Sequence, residues 1–77
     1  MTILEEAIES KLDELNTALR LSEGDDAETQ IFTTLRTSVH HLAATYREEA
    51  AQGKNQKKLA EDFRFDVRAT GLRLRRN

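Results

Sequence analysis

The side chains best equipped for chemistry are two adjacent histidines, several neighbouring acid pairs and a set of bases crowded toward the C-terminus. His40 and His41 are the only imidazoles. On a helix, adjacent side chains point about 100° apart, so the two do not easily grip one metal ion. No His or acid stands at helical spacing to help them, and there is no Cys to complete a zinc site. They read as helix-surface or interface histidines, with pH-sensitive contact to a partner as the alternative, since imidazole titrates near neutrality.

Acid pairs occur at Glu5-Glu6, Asp13-Glu14, Asp25-Asp26, Glu48-Glu49 and Glu61-Asp62. A general acid needs a desolvated pocket to move its pKa, and short helices with polar outer faces supply none. The pairs therefore read as solvated surface. Asp25-Asp26 lacks the alternating ligands and distal Glu of a calcium loop. The three glycines are isolated, which excludes a phosphate-binding glycine loop. Thiol catalysis is excluded outright by the lack of Cys, and no hydroxyl sits in an elbow or triad setting. No catalytic residue, cofactor or metal is expected, and the chain reads as a non-enzyme.

The bases are the feature with a direct use. Residues 1 to 30 carry nine acids against Lys11 and Arg20, a net −7, and residues 31 to 52 balance. From Gly53 onward eight bases (Lys54, Lys57, Lys58, Arg64, Arg68, Arg73, Arg75, Arg76) face Glu61, Asp62 and Asp66, a net +5. This asymmetry either pairs one end of the protein with the other or addresses an acidic partner. The first reading is preferred, because the two blocks nearly offset each other. A basic strip can also neutralise phosphates, so nucleic-acid binding stands as the alternative function. The interrupting acids and a pI near 5.6 weigh against it.

Helices must position these groups. With no Pro and an abundance of Ala, Leu, Glu, Lys and Arg, the composition favours an all-α fold. Helix one is predicted over residues 3 to 21. Thr2 and Glu5 have the spacing of a capping box, and Leu4, Ile8, Leu12, Leu15 and Leu19 form one apolar stripe. A short turn around Gly24 predicts that the next helix folds back as an antiparallel hairpin. Helix two is predicted over 26 to 52, with Asp25 and Glu28 again in capping-box spacing. Phe32, Leu35, Val39, Leu42 and Tyr46 step by three and four residues, the spacing of a core or dimer seam.

Gly53 permits either a break or a continuous helix. The break is preferred, with Asn55 capping a shorter third helix, or helical extension, over 56 to 69. Leu59, Phe63 and Val67 form its apolar ridge. Thr70-Gly71 is expected to end it, leaving a basic tail over 70 to 77 that is extended or unstructured.

A single domain of this size buries little surface, and with disulfides excluded its core is marginal. A second chain is therefore expected, as a homodimer or as docking on another protein. The predicted role is a protein–protein interaction module (a regulator, inhibitor, adaptor or chaperone). Its partner-binding residues are expected among Leu59, Phe63, Arg64, Val67, Arg68, Leu72, Arg73, Arg75 and Arg76. No run approaches the roughly 18 to 20 apolar residues that span a bilayer. Glu5, Glu6 and Glu9 interrupt any signal-peptide pattern at the N-terminus. No membrane partner and a cytoplasmic location are the expectation.

Overall fold

The structure, a computed structural model, describes residues 1 to 75. Those residues form three helices, α1 (Ile3–Leu21), α2 (Asp26–Ala51) and α3 (Gln56–Arg75), and no strand.

Each helix begins on a side-chain cap. Thr2 Oγ1 accepts from the Glu5 N–H at 3.1 Å, Asp25 Oδ1 from the Glu28 N–H at 3.1 Å and Asn55 Oδ1 from the Lys58 N–H at 3.0 Å. These replace hydrogen bonds that a helix start cannot make to itself. The reciprocal half of each expected capping box is absent. The Glu5 carboxylate turns away to Arg47, and that of Glu28 faces Arg75.

Between α1 and α2, Gly24 takes a φ of 92°, and Ser22 Oγ donates to the Leu19 carbonyl at 2.9 Å. Thr29 Oγ1 then donates to the Ser22 carbonyl at 3.0 Å, tying the turn to α2. Gly53, at φ 88°, follows the end of α2 in the same left-handed region, where a Cβ is costly.

Every helix packs against both others. Each gives four buried residues to a common core: Leu4, Ala7, Ile8 and Leu15 from α1, Leu35, Val39, Ala43 and Tyr46 from α2, and Leu59, Ala60, Phe63 and Val67 from α3. Leu12, Phe32, Leu42 and Leu74 are half-buried against it. Polar contacts record the alignment. Glu5 near the start of α1 meets Arg47 near the end of α2, and Asn16 meets Arg36 at 3.1 Å. The Leu4 N–H donates to Gln56 Oε1 at 3.2 Å, so α1 and α3 start level with each other.

The expected end of the third helix at Ala69 is corrected. α3 runs through Thr70 and Gly71 to Arg75, so residues 70 to 75 are neither strand nor unstructured tail. An interior glycine costs about 1 kcal/mol relative to Ala. Tertiary contacts beyond it offset that cost, since Leu74 packs on the core, and Arg75 reaches both Phe32 and Glu28. Thr70 Oγ1 also bonds the Asp66 carbonyl one turn back, at 2.9 Å.

Gly71 and Gly53 should therefore respond oppositely to the same substitution. A Cβ on Gly71 would meet only Leu35 Cδ2, at 3.7 Å, an ordinary contact. Gly71→Ala is expected to raise stability by about 0.5–1 kcal/mol. Gly53→Ala is expected to lower it by roughly 1–2 kcal/mol, the cost of a left-handed Cβ. Thermal denaturation followed by circular dichroism checks both signs.

Candidate protein-binding face

With α3 helical to Arg75, residues Arg64, Arg68, Gly71 and Arg75 recur at steps of four, three and four and line one side of that helix. Opposite them on α1 stand Ala7, Ser10, Lys11, Glu14 and Ala18, and between the two helices runs a groove of about 370 Å³. Its floor is apolar, made by Leu15, Phe32, Leu35 and Val67. Beyond Ala18 and Phe32 it continues into a second depression of about 290 Å³ bordered by Leu21.

The α3 wall of the groove is electropositive. Arg75 lies over the Phe32 ring, 5.4 Å from its centroid, and 3.8 Å from Glu28. That placement holds the guanidinium at the groove mouth by cation–π attraction. Arg64 and Arg68 make no ion pair or side-chain hydrogen bond among the described residues. Lys11 on the α1 wall is tied to Glu14 at 2.9 Å.

The expectation that the acidic and basic blocks pair within the chain is met at a single contact. Among the described residues, only the Arg75–Glu28 contact joins the two blocks. The other ion pairs are Lys11–Glu14, Glu5–Arg47, Glu49–Lys54 and Lys58–Asp62. α1 and α3 thus lie side by side with opposite charge and share no salt bridge.

The candidate site residues separate into two groups. Leu59, Phe63 and Val67 are buried and complete the core; Leu59 and Phe63 are thereby withdrawn from any partner surface, while Val67 keeps an edge in the groove floor. Arg64, Arg68, Leu72, Arg73 and Arg75 are exposed, with Arg73 hydrogen-bonded to Thr70 Oγ1 at 3.2 Å. Arg76 lies outside the described residues. The seam of Leu35, Val39, Leu42 and Tyr46 faces inward and is spent on the chain's own core. Sequence reasoning missed Phe65, which is 72% exposed, and Leu21, which is 82% exposed. Phe65 stands seven residues before Leu72, a spacing that means a shared face only once the helix continues past Gly71.

Among the described residues no group of His and acids could hold a metal ion, and His40 and His41 are both exposed. No helix among them is long and apolar enough to cross a membrane. The chain matches no known family model, curated protein or solved structure.

Two charged contacts outside the groove fix the helices that frame it. Arg47 donates to both Glu5 oxygens, at 2.6 and 2.9 Å. That bidentate pair holds the Glu5 carboxyl below its ordinary value, mainly through the hydrogen bonds. Its contribution is present at neutral pH and disappears as acid protonates Glu5. Tyr46, packed edge-on against Phe63 with ring centroids 6.0 Å apart, donates its hydroxyl to Asp66. Burial first, and then Asp66, push the Tyr46 hydroxyl far above its ordinary pKa of 10.0.

Folding consequently holds the Tyr46 proton more tightly than the unfolded chain does. The resulting stability is complete below the unfolded pKa of about 10 and falls as pH rises past it. Tyr46→Phe, which removes a donor from a half-buried carboxylate, is expected to cost about 1.5–3 kcal/mol near neutral pH. The gap between wild type and variant should narrow above pH 10.0, the ordinary value for this hydroxyl. Urea unfolding at neutral and alkaline pH measures both effects.

Proposed function

We propose that this chain is a non-enzymatic protein–protein interaction module, of the regulator, inhibitor, adaptor or chaperone kind, whose working surface is the α1/α3 face. In this reading α1 and α2 form an antiparallel hairpin, and α3 lies across it to complete the core. The observation that carries the proposal is the alignment of Arg64, Arg68 and Arg75 along an apolar-floored groove, two of them without an acidic partner in the described chain.

An arginine fork binds carboxylates in a bidentate way, while the apolar floor accepts the greasy side of a helix or strand. A face of this composition suits an acidic, partly apolar protein surface. The seam on α2 is occupied internally, so association of either kind considered for this chain, with itself or with another protein, falls to the α1/α3 face.

The nucleic-acid reading draws on the same arginines. Against it stand Glu14 on the groove wall and Glu61 beside Arg64, which would face phosphates.

The test uses a photo-crosslinking residue at position 68 in the chain's native cell. A protein segment rich in Asp or Glu is expected as the adduct. The charge-reversed Arg64→Glu/Arg68→Glu variant should keep its helical circular dichroism and lose at least about tenfold in affinity for that protein, the loss expected when contacts worth more than 1.4 kcal/mol are removed. Salt-sensitive retardation of duplex DNA with no protein adduct would instead favour nucleic acid.

A further inference from the structure

The exposed large hydrophobic residues are Met1, Ile3, Leu21, Phe65 and Leu72. None is on α2. Ile3 and Leu21 are about five helical turns apart and so share one side of α1, in line with Ser10 and Glu14, which line the groove's edge. Phe65 and Leu72 share one side of α3 with Arg68, at the groove's opposite edge. The two strips and the groove between them make one continuous face.

This face carries opposite charges on its two sides. Glu6 and Asp13 on α1, each one turn from Ser10 at the groove's edge, are exposed and enter no ion pair among the described residues, as is true of Arg64 and Arg68 on α3. The neighbouring helices do not neutralise each other, so their complementarity is left for another molecule to satisfy. A second copy of the same chain offers both signs at once.

The register allows it. Leu4 beside Gln56 sets α1 and α3 level at their starts, and both walls of the groove then advance together, Ala7 to Ala18 on one side and Arg64 to Arg75 on the other. A two-fold axis running along the groove lays α1 of one copy over α3 of the next at the same level. Asp13 and Glu14 then approach Arg64 and Arg68 of the second copy, Leu21 approaches its Leu72, and the symmetry repeats each contact. Two helices about 30 Å long at a spacing near 10 Å offer the order of 800 Å² per partner that a specific interface requires.

Resting on the reading of the α1/α3 face as a protein-binding surface, we infer that its occupant is a second copy of this chain, docked groove to groove in a symmetric dimer with α1 against α3. The acids of one copy satisfy the arginines of the other, and the exposed Phe65, Leu72 and Leu21 leave water.

Sedimentation equilibrium on the full chain tests this with two charge-reversed variants. Wild type is expected to be a dimer whose dissociation constant rises with salt. Arg64→Glu/Arg68→Glu makes both helices acidic, and Asp13→Arg/Glu14→Arg makes both basic. Each variant alone should be monomeric with wild-type circular dichroism, and an equimolar mixture should recover the dimer. Phe65→Ser/Leu72→Ser, at exposed positions, should also weaken association at least tenfold while leaving the fold intact.

A monomeric wild type, or folded reversed variants that remain dimeric, would overturn the inference. A monomer that still binds a fluorescent acidic amphipathic peptide through Arg64 and Arg68 would refute the second copy and keep the protein-binding reading. A monomer that ignores this peptide and retards duplex DNA would refute both.

Discussion

Three short amphipathic helices in a 77-residue chain must hide their apolar stripes in one another, and the close approach this demands sets most other features of the molecule. Alanine makes the approach possible. Ala7, Ala43 and Ala60, one from each helix, are buried, and the volume they leave is filled by Phe63, Leu4, Ile8 and Val39. Phe63 has no exposed surface and meets Tyr46 edge-on, so α3 is locked to α2 at the centre of the core. Because all four buried residues of α3 serve this purpose, the third helix belongs to the fold and is no appendage.

That packing determines what is left for function. Once Leu35, Val39 and Tyr46 are turned inward, α2 keeps no large exposed hydrophobic residue. The outward strips of α1 and α3 retain theirs, along with charges of opposite sign. Salt bridges at the surface contribute little to stability individually, so unpaired acids on α1 and unpaired arginines on α3 cost the fold little. Their worth lies in recognition, where complementary charge selects partners and speeds encounter. The groove floor of Leu15, Leu35, Val67 and Phe32 supplies the apolar contact that charges alone lack.

The all-helical character was legible in the sequence because stripe spacing and capping residues agree locally. Thr2, Asp25 and Asn55 each cap where their side-chain chemistry predicts, and the glycines at 24 and 53 mark the turns. The end of α3 was not legible. Thr70-Gly71 carries a local stop signal, and what overrides it is tertiary: Leu74 on the core and Arg75 on Phe32, residues 40 or more positions apart in the second case. The face itself was hidden by the same error. Arg64, Arg68 and Arg75 form a line, and Phe65 joins Leu72, only on an uninterrupted helix. Leu59, Phe63 and Val67 were visible as an apolar ridge, but a ridge does not state whether it meets its own chain or another. Opposite net charges likewise suggested mutual pairing, whereas α1 and α3 share no salt bridge among the described residues.

The face therefore depends on the helix crossing Gly71. Backbone chemical shifts and nuclear Overhauser effects measured on the isotopically labelled chain test that point most directly. Helical Cα shifts continuing through Arg75, with contacts between the Gly71 Hα protons and the Leu35 methyls, are the predicted result. Random-coil shifts from Thr70 onward, with no contact from Gly71 or Leu74 to α2, would contradict it and dissolve the aligned arginine wall.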